Sequence, residues 1–166
     1  MRLLFPSVFL CLIFMSIATH ASEMPNNKTI LTVSGAISAE RQVKFDMTML
    51  QTLPQYSITT HNPWAKGLHT YQGFSAIDLL KRLGSQSTLL QVTALNDYMT
   101  EIPVSDFAEN GAIFATHQDG KPMSVRNLGP IMVIYPFDER KELKSELFYG
   151  RSIWQIRHIK AMAITE

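Results

Sequence analysis

The segment richest in hydrogen-bonding and stacking groups is His61-Asn62-Pro63-Trp64. An imidazole, an amide and an indole lie close together here, and the proline fixes the backbone beside them. Such a group could form one wall of a ligand pocket, with the indole stacking on the ligand. The alternative is structural, because Trp64 could plug the edge of the core while Asn62 stabilises a turn before Pro63.

Three other segments carry candidate groups. Arg126 could meet an anionic ligand beside backbone amides freed by Gly129, and the alternative is a solvated loop arginine. In Asn96-Asp97-Tyr98, the Asn-Asp pair is typical of a hairpin turn and Tyr98 of a strand, which favours a structural role. Trp154 alternates with polar neighbours, so its side chain is expected to face the core.

The chain lacks the local signatures of common enzyme classes. It contains no glycine-rich phosphate loop, no HExxH motif and no nucleophile elbow. His61 and His69 could meet across a hairpin, but no two histidines of the chain beyond residue 21 have the i, i+2 or i, i+4 spacing of a preformed metal clamp. Isolated histidines are mostly ordinary surface or core residues, so we predict no metal site.

The N-terminal segment predicts export. Met1 and Arg2 precede an almost wholly apolar run over residues 3–18, and Thr19-His20-Ala21 offers small residues to a signal peptidase. The run is shorter than the ~20 residues that a membrane span needs. We therefore expect a signal peptide over residues 1–21, a periplasmic or secreted protein, and no stable membrane insertion.

Cleavage near Ala21 would remove the only cysteine, Cys11. The mature protein would then have no disulfide, no thiolate ligand and no thiol nucleophile. Residues 22–166 carry 14 basic and 14 acidic side chains, a balance that gives no electrostatic footprint for nucleic acid. A length of about 145 residues suits one domain with a buried core, so we predict a single domain over residues 22–166.

The elements that would position the candidate groups are short. Apolar spacing predicts helices from Asp46 to Pro54 and from Ser75 to Gly84, with Asp46 and Ser75 as N-caps. We expect a turn at Gly73-Phe74, a short helix from Pro103 through Phe107, and a solvated face over residues 138–146. Runs of β-branched and aromatic residues predict strands over residues 29–37, 56–60, 68–71, 89–94, 98–102, 112–116, 131–135 and 157–164. These short strands with three or four helices, without regular alternation, indicate an α+β fold.

Four segments, in this order, resemble the sulfite-oxidase-type molybdopterin-binding oxidoreductase domain. They are YQGFSAIDLLKRLG from Tyr71, ALNDYMTEIPVSD from Ala94, AIFATHQDGKPMSVRNLGPIMVIYP from Ala112 and GRSIWQIRHI from Gly150. The chain is most similar to a small, exported, single-domain branch of that family. The resemblance implies a mixed-sheet α+β domain in which short helices pack around short strands.

The chain departs from the family pattern at two places. In the family, a cysteine thiolate ligates molybdenum at the end of the strand before the Trp-containing loop. The matching positions here are Thr60 and His61, and neither supplies a thiolate. The family also tends to carry an arginine soon after its Gly-Pro motif, where this chain has Ile131-Met132-Val133. We therefore expect no cofactor, with molybdopterin kept as the alternative.

The resemblance then implies an exported ligand-binding or accessory module that has lost the molybdenum cysteine. We expect a small-molecule or pterin-like ligand and a membrane-bound signalling or redox partner; no catalytic residue is assigned. One alternative is a periplasmic molybdopterin-dependent oxidoreductase that holds its cofactor without a protein thiolate. Another is a structural subunit whose cleft is filled by its own side chains. The expected cleft is lined by Thr60, His61, Asn62, Trp64, Tyr98 and Arg126.

Overall fold

The computed structural model describes residues 28–39 and 41–163, which contain ten strands and four short helices. The strands are β1 (Leu31–Gly35), β2 (Gln42–Phe45), β3 (Gln55–Asn62), β4 (Ala65–Phe74), β5 (Leu89–Ala94), β6 (Met99–Pro103), β7 (Ile113–Gln118), β8 (Lys121–Pro122), β9 (Met132–Ile134) and β10 (Ile156–Met162). The helices are α1 (Met47–Gln51), α2 (Ala76–Arg82), α3 (Ser105–Ala108) and α4 (Glu146–Arg151), and 3-10 turns cover Val125–Asn127 and Lys141–Leu143.

The first sheet has the strand order β2-β1-β10-β5-β6. β1 and β10 are parallel, whereas the other neighbours are antiparallel. The pairing of β1 with β10 joins the two ends of the described chain. A mixed sheet accompanied by short, irregularly placed helices confirms the predicted α+β class.

The second sheet contains β3, β4 and β7 in antiparallel order, and both β8 and β9 pair with β7. β3 and β4 form a long hairpin in which Asn62 lies opposite Ala65. The two residues between them, Pro63 and Trp64, make the turn. The hairpin therefore presents the indole of Trp64 at its tip.

Both predicted N-caps are confirmed. The Asp46 carboxylate accepts the N–H of Met49 at 2.8 Å, and the Ser75 hydroxyl accepts the N–H of Ile77 at 3.2 Å. These bonds satisfy amides that the first turn of a helix leaves without a partner. Gly84, with a φ of +62°, follows α2 in the left-handed conformation that commonly ends a helix.

Both sheets contribute to one buried apolar cluster. Leu31 and Val33 of β1 are buried while their neighbours on the strand are partly exposed, as the two-residue period of a strand predicts. Burial of an apolar side chain contributes about 1.5–3 kcal/mol. The largest buried side chains therefore hold the sheets together; they include Phe45, Tyr71, Phe74, Phe114, Tyr135 and Phe137.

Two local predictions are wrong, and one strand was not predicted. Gly73 lies within β4 rather than in a turn. A glycine is required there because a Cβ atom at residue 73 would overlap the carbonyl oxygen of Phe114 on β7. The sequence does not predict β2, whose four residues are mostly exposed and form no apolar run. Pro103 ends β6 instead of beginning a helix, and α3 starts at Ser105.

The predicted signal peptide, residues 1–21, lies outside the described residues. The last predicted strand residue, Ile164, also lies outside them, and β10 ends at Met162. Within the described ranges, none of the helices has the length and hydrophobicity needed to cross a membrane.

Candidate functional site

The side chain of Asn62 holds the turn between β3 and β4. Its Oδ1 accepts the N–H groups of Trp64 and Ala65, each at 3.0 Å, and its Nδ2 donates to the Tyr71 hydroxyl at 2.8 Å. Tyr71 is buried in the core, and burial raises the pKa of its hydroxyl. Asn62 therefore ties the turn to the core and fixes the position of Trp64.

The indole of Trp64 lies in a cluster of aromatic side chains. Its ring centroid is 5.8 Å from that of Trp154, 5.9 Å from Tyr149 and 6.3 Å from Phe137. The rings of Trp64 and Tyr149 are perpendicular, which is a favourable edge-to-face arrangement. Trp64 is only partly buried against this cluster. One part of the indole therefore packs on the core while another part faces the surface.

A pocket of about 370 Å³, here called the aromatic pocket, opens beside this cluster. Four aromatic rings and no charged side chain line it. The Ser152 hydroxyl in its wall donates to the carbonyl oxygen of Phe148 at 2.8 Å and is thus engaged within α4. The lining groups suit stacking and hydrogen bonding rather than proton transfer; they include Trp64, Asn96, Tyr98, Tyr149, Ser152 and Trp154.

Tyr98 connects the β5–β6 hairpin to α4 at the edge of the aromatic pocket. Its side chain is half-exposed, and its hydroxyl donates to the carbonyl oxygen of Gly150 at 3.4 Å. The N–H of Tyr98 donates to Asn96 Oδ1 at 3.2 Å, and Asp97 has a φ of 65°. The predicted Asn-Asp turn is thus confirmed, and this turn places Tyr98 at the pocket.

A second pocket of about 490 Å³, here called the basic pocket, also has Trp64 in its lining. Arg126 reaches it from the exposed 3-10 turn Val125–Asn127, and Lys121 reaches it from β8. Two cationic side chains beside an indole suit an anionic group attached to a planar ring. The lining includes Trp64, Gln118, Asp119, Lys121, Arg126 and Asn127.

The one carboxylate of the basic pocket, Asp119, is already engaged. Its Oδ1 accepts the N–H of Thr70 at 2.9 Å, and its Oδ2 lies 2.7 Å from His69 Nδ1. The Thr70 amide and the His69 ring hold the pKa of the Asp119 carboxyl below its usual value. Asp119 in turn raises the pKa of His69. The carboxylate, which lies in the turn between β7 and β8, is thus directed at the neighbouring strand β4.

Thr60 and His61 lie at the end of β3 and line neither the aromatic nor the basic pocket. Thr60 is fully buried; its hydroxyl accepts the N–H of Asp138 at 3.1 Å and donates to the carbonyl oxygen of His61 at 3.0 Å. Asp138 Oδ2 accepts the N–H of His61 at 2.8 Å and lies 2.7 Å from its Nδ1. The three contacts that involve Asp138 form a clasp between β3 and the segment that follows β9.

Lys144 completes this clasp by donating to Asp138 Oδ1 at 2.9 Å. The lysine, followed by the N–H and the ring of His61, holds the pKa of the Asp138 carboxyl well below its usual range. His61 and His69 therefore face different carboxylates. In the described part of the chain, no three His, Cys, Asp or Glu side chains are grouped as a metal site would require.

Sequence reasoning missed three residues that line these pockets. Lys121 and Trp154 lie in two of the segments that resemble the family. Their position in those segments could have marked them as candidate site residues. Trp154 packs against the core, as expected, but also lines the aromatic pocket. Tyr149 lies on α4, which the sequence does not predict, and no local pattern marks it.

Comparisons with known proteins agree with this architecture. The sequence matches the family described as oxidoreductase molybdopterin binding domain over residues 20–138. The fold is similar to the crystal structure of the sulfane dehydrogenase SoxCD from Paracoccus pantotrophus, with a TM-score of 0.61 and 13% sequence identity. The match covers 87% of this chain and 40% of that chain. No significant match is found among curated proteins.

At such low identity, the similarity to the sulfane dehydrogenase shows the fold alone, and it confirms the mixed-sheet architecture that the resemblance implies. This chain spans less than half the length of that structure. The family match, in contrast, extends over most of this sequence. The chain belongs to the family of oxidoreductase molybdopterin binding domains.

Proposed function

We propose that this chain is an exported ligand-binding or accessory module that does not ligate molybdenum through a protein thiolate. The observation that carries the proposal is Thr60, one of the two positions that match the family cysteine. The only cysteine of the sequence, Cys11, lies in the apolar N-terminal run instead. The family binds molybdopterin, and the metal-facing part of such a cofactor would meet an alcohol or an imidazole here.

The donor atoms at this position do not fit molybdenum. A soft thiolate stabilises the metal far better than a hydroxyl does, and the Thr60 hydroxyl is buried with two hydrogen bonds already made. His61 Nδ1 is held by Asp138 at 2.7 Å. Thr60 would have to leave the clasp before it could ligate a metal, and His61 could offer only its imidazole Nε2, a harder donor than the family thiolate.

The two pockets beside Trp64 support a binding role. The aromatic pocket offers rings for stacking, and the basic pocket offers Lys121 and Arg126 for an anionic group. Both pockets share the Trp64 indole, so one ligand could use both kinds of contact. We infer a small-molecule or pterin-like ligand, which has a planar ring and an anionic substituent.

Export is supported by the composition of residues 1–21. The mature chain would begin near Ser22, which mass spectrometry of the exported protein measures directly. An intact Met1 or a lipid-modified Cys11 would contradict this part of the proposal. An accessory role also requires a partner, for which we propose a membrane-bound signalling or redox protein of the same compartment.

Titration calorimetry with pterin-6-carboxylate tests the binding role. The protein should bind this probe saturably, with stacking from Trp64 and a charge contact from Arg126. Pterin without the carboxylate should bind about tenfold more weakly, because it loses a hydrogen bond to a charged group. Saturable binding of neither compound would overturn the proposed ligand class.

The family match favours a second candidate, a molybdopterin-dependent oxidoreductase that holds its cofactor through pterin contacts alone. Lys121 and Arg126 would then face the anionic end of the cofactor. The two candidates differ in metal content, because only the enzyme requires molybdenum. A third candidate, a structural subunit with a filled cleft, would bind neither pterin nor metal.

A further inference from the structure

A pocket of about 650 Å³ lies on the solvent-facing side of the first sheet. Here it is called the sheet groove, and its lining includes Lys28, Thr32, Thr93, Leu95, Arg157 and His158. Met123 lines both the sheet groove and the basic pocket, and no residue of the groove lines the aromatic pocket. The polar and charged residues of the groove lie outside both pockets of the proposed function.

The floor of the sheet groove is a row of polar side chains in strand register. Thr32 on β1 is paired with His158 on β10, and His158 is paired with Thr93 on β5. Side chains of directly paired residues point to the same face of a sheet. Strands lie about 4.8 Å apart, so two hydroxyls and one imidazole span roughly 10 Å across three strands.

The charges around this row are positive. Lys28 and Arg157 line the sheet groove, and none of its described lining residues is a carboxylate. The Arg157 guanidinium contacts Asp97, an exposed residue of the β5–β6 turn outside the lining. A pocket with hydroxyl donors, cationic side chains and no acid in its wall favours an anion.

The state of His158 points the same way. Its Nε2 lies 2.8 Å from the Ser34 hydroxyl. Burial, followed by the charges of Arg157 and Lys160, holds the pKa of His158 below its usual value. Positive charge around the groove is thus one cause of the lowered pKa, and an anion bound there would raise it.

Apolar side chains line the rest of the sheet groove. Leu95 and Val125 are 46% and 49% exposed, and Ile30 and Ile156 also contribute to the wall. An inorganic anion would contact the polar row but leave this surface wet. A ligand that fills the groove must carry an apolar body beside its charged group.

We propose that the sheet groove binds an organic anion whose carboxylate or phosphate headgroup sits on Thr32, His158 and Thr93 and whose apolar body covers Leu95 and Val125. The headgroup accepts hydrogen bonds from the two threonine hydroxyls and is attracted by Lys28 and Arg157. A free metabolite and an anionic lipid offer the same chemistry, and they differ in whether the ligand is dissolved or held in a bilayer.

Calorimetry with octanoate tests this site, with octyltrimethylammonium as the matched cation of equal chain length. Octanoate should bind saturably and the cation should not. Thr93→Val keeps the shape of the side chain but removes one hydroxyl, so it should weaken octanoate binding about tenfold. Lys81→Gln, an exposed change on α2, is the control and should leave binding unchanged.

Vesicles of phosphatidylglycerol, compared with phosphatidylcholine, distinguish the two sources. If the protein cosediments with phosphatidylglycerol vesicles but not with phosphatidylcholine vesicles, and Thr93→Val weakens this cosedimentation, the anion is assigned to a lipid. Octanoate binding without cosedimentation would assign it to a dissolved ligand. Binding to neither probe, equal binding of the cation, or no effect of Thr93→Val would overturn the proposal, whether or not pterin binds beside Trp64.

Discussion

The Thr60 hydroxyl accepts a hydrogen bond from the backbone N–H of Asp138 at 3.1 Å, across 78 residues of sequence. The Asp138 carboxylate in turn accepts a hydrogen bond from the N–H of His61 at 2.8 Å. The end of β3 is thereby fastened to the segment that follows β9. At the position where the family resemblance places a metal ligand, this chain has a structural clasp.

Thr60→Cys and His61→Cys should both fold, because cysteine is similar to or smaller than the residue it replaces. We expect one of the two variants to gain molybdenum in a host that makes the cofactor, since a thiolate restores the soft ligand. Elemental analysis of the purified variants measures this, with Ser57→Cys on the same strand as the control. Two folded variants without molybdenum would mean that the groups that hold the pterin and its phosphate have been lost as well. That result would remove the oxidoreductase alternative and leave the binding module standing.

Trp64→Ala should weaken pterin-6-carboxylate binding by up to about tenfold, because a stacked aromatic pair is worth about 0.5–1.5 kcal/mol beyond its area. Leu80→Ala, a truncation of the buried face of α2, is the matched control. It should lower the free energy of unfolding by about 2–5 kcal/mol and leave binding intact. If both variants lower the free energy of unfolding equally and neither changes binding, Trp64 has only a structural role at the edge of the core.

Asp138→Asn should lower the stability of the protein at neutral pH. Lys144 and the His61 contacts depress the pKa of Asp138 in the folded state, so its stabilising effect is present above the unfolded value of about 3.9 and fades as the pH falls through the folded value. The difference between wild type and variant in denaturant titrations should therefore shrink below about pH 4. Glu139→Gln is the control. A difference in stability between wild type and Asp138→Asn that stays constant with pH would contradict the account.

Asp106→Ala should destabilise the protein by about 3–5 kcal/mol, because it leaves the partly buried Arg151 without its counter-charge and the buried Tyr135 hydroxyl without its acceptor. Asp106 is buried, accepts the Tyr135 hydroxyl at 2.7 Å and pairs with Arg151 at 3.0 Å. Tyr135→Phe removes one hydrogen bond and should cost only about 1 kcal/mol. Because Asp106 and Tyr135 share a hydrogen bond, the double variant should lower the free energy of unfolding by less than the sum of the two single variants. A decrease equal to that sum would argue against this coupling.

Local signals in the sequence predicted the fold best where caps and turns define an element. Asp46 and Ser75 cap α1 and α2 through bonds within one helical turn, so their neighbours along the chain suffice to predict them. Gly73 is different. Its lack of a side chain allows β7 to pass close to β4, and this close approach exists only when the two strands pair in the folded protein. β2 is an edge strand held by its partner β1, and its own residues carry little pattern.

The site was predicted in part for a similar reason. Trp64, Tyr98 and Arg126 carry recognisable binding groups, and all three line a pocket beside the β3–β4 turn or the β5–β6 turn. Thr60 lies outside both pockets, because its hydroxyl bonds to Asp138, far away in sequence. No local periodicity reveals a contact of this kind, nor the approach of Tyr149 from α4.

The molybdenum content of the unmodified protein tests the central claim most directly. The chain would be purified from its native host, or from a host that makes molybdopterin, and analysed for metal by mass spectrometry. A module without a protein thiolate should contain far less than one molybdenum atom per chain, while the Thr60→Cys or His61→Cys variant contains more. Stoichiometric molybdenum in the unmodified protein would contradict the account and establish the chain as a cofactor-bearing oxidoreductase.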